Sequence, residues 1–179
     1  MRLFIAIEPS KEVKDYIYNL ESKLKSELPA TIRWVAKKNL HLTLKFLGEI
    51  KEDKLGDLKK VLKGIQFPKF ELSLEKMGYF GTPSKIHTLW LKLSPEIDIT
   101  KLATTIDSET LEFSSSDQEF ISHLTLGRIN KTKNIKMFKD VIGSYKIEKL
   151  KFEVTRFYLI QSTLTKDGPQ YKILEEYSL

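Results

Sequence analysis

The chain has 179 residues, 41% of them hydrophobic, with no cysteine and a formal net charge of +6. That length suits one domain with a real core, and the missing cysteines exclude disulfides and thiolate zinc centres. The basic balance favours an anionic partner through long-range attraction, although stretches such as KEDKLGDLKK mix lysine with acids and solvate helix faces.

RLFIAIE (2–8) reads as a first strand, too short an apolar run for a signal peptide or membrane span, so a cytoplasmic protein is expected. From Ser10 to Leu28, the residues Val13, Ile17, Leu20, Leu24 and Leu28 recur at helical spacing and predict an amphipathic helix. TIRWV and LHLTLKFL predict strands, with Asn39 as a turn signal between them. Lys51 to Ile65 predicts a second helix, striped by Leu55, Leu58, Leu62 and Ile65. FELSLEKM and HTLWLKL alternate with period two and predict strands about the turn GTPS.

Ser94-Pro95-Glu96 predicts a helix start with Ser94 as its cap, the helix running to about Phe113. The polar loop SSSDQ, the strand ISHLTLGRI and a short helix over Ile135–Ile142 follow. Two last strands, roughly Lys149–Gln161 and Tyr171–Tyr177, flank the turn signal KDGP.

This order repeats itself. The helix starts at 10 and 96 are offset by 86 residues, and the tetrapeptide HLTL recurs at His41–Leu44 and His123–Leu126, offset by 82. The expected architecture is therefore α+β: one domain over residues 1–179, made of pseudo-repeats of about 1–93 and 94–179. Two such halves pack most naturally about an approximate twofold axis, which brings the HLTL strands together across a cleft.

Two of the three histidines in the chain lie in these motifs. Alternation puts His41 with Thr43, and His123 with Thr125, on one strand face, and the leucines on the other. Imidazole titrates near neutrality, so one of a facing pair can take a proton while the other gives one. Threonine hydroxyls suit the non-bridging oxygens of a phosphate, and on a basic protein the set points to attack at phosphorus without a metal. No carboxylate sits at ligand spacing in either motif, so no metal site or cofactor is expected.

The two HxTx motifs, MRLFIAIE, RWVAKKNLHLTLKFLGEI and LIQSTLTKDGPQYKILEEYSL together resemble the two-histidine phosphoesterase superfamily, and within it the RNA 2′,3′-cyclic phosphodiesterases, historically called 2′-5′ RNA ligases. The resemblance spans essentially the whole chain. It implies two lobes with antiparallel sheets lining a central cleft and helices outside. It also implies hydrolysis of RNA or nucleoside 2′,3′-cyclic phosphates to 2′-phosphomonoesters, with 2′-5′ ligation as the reverse reaction. By position it makes His41 the proton donor and His123 the acceptor; chemistry alone leaves their order open. The expected partners are RNA or nucleotides with 2′,3′-cyclic phosphate ends, with no membrane, no obligate protein partner and a monomeric state. The competing readings are the same chemistry on another cyclic nucleotide or an ADP-ribose cyclic phosphate, and a non-catalytic module that binds RNA ends.

Around the motifs, Lys45 shares strand parity with His41, and either enters the cleft or runs past the strand end to solvent. Arg128 would be aimed away from His123 by strict alternation, but a bulge at Gly127 would return it as a substrate contact. Trp34, beside Arg33, either stacks a base or fills core, and Phe4 and Ser162 are expected near the cleft. Where the family writes PHLTL, this chain has Ser122 before His123. His87 shares parity with Leu89, Leu91 and Leu93 and is expected to be packed and structural.

Overall fold

In the computed structural model, which describes residues 1–115, 119–166 and 168–179, apolar alternation and helical stripes resolve into one antiparallel sheet backed by helices. The strands are β1 (Arg2–Ile7), β2 (Ala30–Trp34), β3 (Leu42–Glu49), β4 (Phe70–Thr82), β5 (Lys85–Ser94), β6 (His123–Thr132), β7 (Lys151–Val154), β8 (Arg156–Thr165) and β9 (Gly168–Ser178). The helices are α1 (Lys11–Glu27), α2 (Leu55–Gly64), α3 (Glu96–Glu109) and α4 (Ile135–Ser144). The strand order is β7-β4-β5-β6-β3-β1-β8-β9, with β2 added beside β6.

All four helices bury their apolar stripes on one face of this curled sheet. Val13, Ile17, Leu20 and Leu24 of α1, Leu58 and Leu62 of α2, Ile99, Leu102 and Ile106 of α3, and Phe138 and Ile142 of α4 join a single core. Ser10 caps α1 by accepting from the Val13 amide, as its position before the first apolar residue demands. A small second cluster of Phe4, Ala6 and Ile160 lies on the opposite face, the one that carries the histidines. No helix among the described residues is long and apolar enough to cross a membrane.

Several expectations change in physical detail. The predicted strand over 149–161 is two strands, β7 pairing with β4 and β8 with β1. Its buried positions, Phe152 and Val154 and then Phe157 and Leu159, change parity at Thr155, so no one strand could bury them all. Ser94 ends β5 instead of capping α3, whose start has no side-chain cap, and α3 stops at Glu109. Pro83 and Ser84 alone connect β4 to β5. Of the polar loop SSSDQ, residues 116–118 lie outside the described residues, as does Asp167 of the KDGP turn. His87 is exposed, not packed: it is the extra residue where the β4–β5 register shifts between Phe80 and Gly81, so it leaves the leucine parity.

Glu21 departs from its helix's pattern. It sits 4% exposed among the α1 stripe, its Oε1 has no hydrogen-bond partner, and burial raises its pKa to about 7, with Lys25 opposing only weakly. A raised carboxyl pKa means that the fold binds this proton more tightly than the unfolded chain does. The associated stability is full below the unfolded value of about 4.3 and is lost as pH rises through 7. Glu21→Gln should therefore raise the melting temperature by a few degrees at pH 8 and leave it nearly unchanged at pH 4, as thermal unfolding across that range will show.

Candidate active site

The two HLTL phrases pair with each other. Leu42 of β3 is the antiparallel partner of Leu124 of β6, and both leucines are buried, at 1% and 0% exposure, in the helix-side core. One step along each strand places His41 opposite Thr125 and Thr43 opposite His123. All four side chains are half-buried and lie on the face away from the helices. The structure thus brings together the four motif residues singled out from the sequence, with the imidazoles diagonal to each other across adjacent strands.

Both rings are held in the same way. His41 Nδ1 lies 2.6 Å from the Asn39 carbonyl oxygen, and His123 Nδ1 lies 2.7 Å from that of Ile121. A carbonyl only accepts, so each Nδ1 carries its hydrogen and each Nε2 is left free for chemistry. Asn39 is itself tied down, its side-chain amide donating to the Pro169 carbonyl at 3.1 Å. Aromatic side chains wall each imidazole. Phe4 lies 4.9 Å and Tyr171 5.3 Å from His41, while Phe80 lies 5.0 Å and Trp90 6.1 Å from His123. Gly78 permits the second wall, because a Cβ there would fall inside the Trp90 ring.

Burial is the largest influence on both imidazoles and lowers their pKa values, since it disfavours the charged form. Their backbone hydrogen bonds work the other way. Among neighbouring charges, His123 lowers His41 further, the Glu8 carboxylate pulls it up by less and Lys14 lowers it slightly, while the Arg128 guanidinium pushes His123 down.

Each motif contains a bulge at its second leucine. On β3, Ala6 pairs with Thr43 and Ile5 with Lys45, leaving Leu44 as the extra residue. On β6, Trp90 pairs with Thr125 and Leu89 with Gly127, leaving Leu126 extra. A bulge inverts the alternation beyond it. Arg128 is thereby returned to the face of His123 and Thr125, where its Nη1 donates to Thr88 Oγ1 at 2.8 Å. Gly127 is required there, since a Cβ would collide with Ile32 of β2.

The same inversion turns Lys45 toward the helix side of the sheet, at the edge of a cavity of about 610 Å³ that Thr43 and His123 also line. It pairs with Ile5 on the helix side, its side chain 5% exposed, with Nζ 2.8 Å from Asp107 Oδ1 and 3.0 Å from the Ser114 carbonyl. The expectation of a cleft or solvent-bound Lys45 is corrected accordingly. Phe46 takes the cleft-facing place instead, its ring 6.1 Å from Phe4. Trp34 packs partly buried against the core, with Lys25 Nζ 5.9 Å from its ring. Ser162 pairs with Tyr171 near His41. A cavity of about 500 Å³ opens beside His41, lined by Glu8, Asn39, Ile160 and Tyr171 among others. Phe80, Trp90, Phe46 and Tyr171 were missed as site residues. The signal for Trp90 was its parity in HTLWLKL, opposite to that of the leucines. Among the described residues, no three His, Cys, Asp or Glu side chains are grouped to hold a metal ion.

The chain is similar to known proteins over its full length. A family model described as LigT like Phosphoesterase matches residues 7–90. A protein of Archaeoglobus fulgidus named RNA 2′,3′-cyclic phosphodiesterase is 32% identical, the alignment covering 99% of each chain. One of the same name from Thermotoga maritima is 34% identical over 98% of this chain and 94% of its own. Among solved structures, TT0787 of Thermus thermophilus superposes with a TM-score of 0.82 at 26% identity, covering 100% of this chain and 98% of that one. Escherichia coli LigT complexed with 3′-AMP superposes with a TM-score of 0.79 at 28% identity, covering 99% and 97%.

The placement of Lys45 makes a distinct prediction. Lys45→Ala removes a buried ammonium that bonds Asp107 and the Ser114 carbonyl and should lower stability by about 1–3 kcal/mol in denaturant unfolding. Substrate KM should change little, in contrast to a residue that contacts phosphate.

Proposed function

This chain belongs to the family of RNA 2′,3′-cyclic phosphodiesterases, and we propose that it hydrolyses 2′,3′-cyclic phosphate ends of RNA or nucleotides to 2′-phosphomonoesters without a metal. The observation that carries this reading is the pairing of Leu42 with Leu124, which sets two imidazoles of the same tautomer diagonal to each other on one face of adjacent strands.

In the proposed mechanism the cyclic phosphate lies between the two Nε2 atoms. Thr43, Thr125 and Arg128 donate to its non-bridging oxygens, where charge grows as the phosphorus becomes five-coordinate. Nε2 of His123 takes a proton from water as the water oxygen bonds to phosphorus. The bond from phosphorus to O3′ breaks, and Nε2–H of His41 delivers its proton to that oxygen. The products are a 2′-phosphate and a free 3′-hydroxyl; solvent then returns the proton from His123 to His41. The order follows the family pattern by motif position, and the Arg128 guanidinium favours a neutral His123. With an RNA 5′-hydroxyl in place of water, the same displacement, run in the same direction, forms a 2′-5′ phosphodiester and is 2′-5′ ligation.

The duplication belongs to the same proposal. Outward from the central β6–β3 pair the order is β5 then β4 on one side and β1 then β8 on the other. That symmetry favours a junction of the halves in the turn between β4 and β5, ahead of the boundary at 93/94 suggested by helix spacing.

His41→Ala and His123→Ala should each lower kcat on a 2′,3′-cyclic nucleotide by roughly 10²–10⁴-fold with the melting temperature preserved. Binding without turnover in the wild type would instead identify an RNA-end-binding module. EDTA should leave the rate unchanged. Because burial lowers both imidazoles, the singly protonated pair is most abundant on the acid side of about 6.5. The kcat/KM profile should therefore be a bell with its maximum there, and a profile flat from pH 5 to 8 would count against the pair.

A further inference from the structure

Beyond Arg128, the cleft face of β6 continues into a row of cations that the reaction at the terminal phosphate does not use. Arg33 of β2 is the direct cross-strand partner of Arg128, so the two guanidiniums rise side by side from the same face. One register step further out, Thr31 pairs with Lys131, and the shift between Thr31 and Ile32 makes Asn130 the extra residue. Thr31 shares parity with Arg33, so this second bulge brings Lys131 onto the cleft face as well. Arg33, Arg128 and Lys131 are all exposed. Among the described residues, none of the three forms an ion pair with a carboxylate, whereas Lys11, Lys14, Lys37, Lys59 and Lys92 each do.

Like charges directly opposite on neighbouring strands are destabilising. An arginine pair with no acid between its members is therefore unfavourable for folding alone and becomes favourable when an anion bridges it. The guanidinium fork suits phosphate oxygens in particular. The row runs outward from the histidines with about 6.6 Å per two-residue strand step, a stride comparable to the separation of successive phosphates in a nucleic-acid strand. RNA ending in a 2′,3′-cyclic phosphate continues only on the 5′ side of its last ribose. A row of unpaired cations leading away from the reacting phosphorus matches that geometry.

We propose that Arg33 and Lys131 form a subsite for the phosphodiester groups on the 5′ side of the terminal nucleotide, so that the protein prefers RNA chains to mononucleotides. This rests on the phosphodiesterase reading for the position of the terminal phosphate. The subsite is sequence-independent: it reads the charge and spacing of the backbone, not the bases.

The test compares wild type with Arg33→Ala, Lys131→Ala and the double variant on two substrates, a 2′,3′-cyclic mononucleotide and a short oligoribonucleotide ending in the same group. The double variant should lose about tenfold in kcat/KM on the oligonucleotide and remain within twofold of wild type on the mononucleotide. Equilibrium binding of an oligoribonucleotide bearing a terminal 2′-phosphate, titrated against salt, should show the log–log slope falling by about 0.7 for each cation removed. Arg33→Lys should keep most of that slope, and Arg33→Ala should melt no lower than wild type, because it relieves a like-charge pair. Equal losses on both substrates, or oligonucleotide binding and salt slope unchanged in the double variant, would overturn the subsite. Wild type that turns over neither substrate but binds the oligonucleotide through these two residues would leave the subsite standing and sink the phosphodiesterase reading.

Discussion

The contact on which the site depends is apolar. Leu42 and Leu124 meet as partners in the middle of the sheet, each sealed into the helix-side core. Slipping this pairing by one residue would bury both imidazoles under the helices and expose the leucines, an exchange that the hydrophobic effect forbids by several kcal/mol. Burial of two leucines thus sets the register, and the register sets where the imidazoles and hydroxyls stand. Chemistry on one face is positioned by packing on the other.

The same economy explains the tautomers. Each histidine lies two residues after the carbonyl that receives its Nδ1 hydrogen, Asn39 for His41 and Ile121 for His123. The backbone just before each strand therefore orients the ring, and no second side chain is needed to do so. The aromatic walls then remove water, which is why both imidazoles hold protons less firmly than in solution.

Much of this was legible in the sequence because it follows from periodicity and from a repeated phrase. The stripes of α1 and α2, the strand character of both HLTL segments and the four motif residues are all local signals. What failed was extrapolation past a bulge. A bulge adds one residue to one strand, and its presence depends on what the partner strand does, so parity counted along a single chain cannot show it. The return of Arg128 to the cleft face was anticipated because a glycine in a strand often marks a bulge, and the bulge lies one residue before Gly127, at Leu126. Lys45 follows an equivalent bulge with no glycine to mark it, and its parity misled. His87 fails for the same reason. The division of β7 from β8 did leave a trace, the change of buried parity around Thr155, but it lies inside a run that otherwise reads as one strand.

The equivalent bulges also give the two HLTL strands different flanks. Both halves present a histidine, a threonine and then, past the extra leucine, one more side chain on the cleft face. In the first half that side chain is Phe46, near Phe4 and Tyr171; in the second it is Arg128, beside Arg33 and Thr88. With identical neighbours, the two imidazoles would have equivalent surroundings, and a substrate could bind in either of two orientations. An aromatic flank on one side and a cationic flank on the other remove that degeneracy. The cation bears on the proton affinity of His123 directly, while Glu8 acts on His41. Divergence at the position after each bulge therefore gives the two copies of one motif different flanks, without any change to the motif itself.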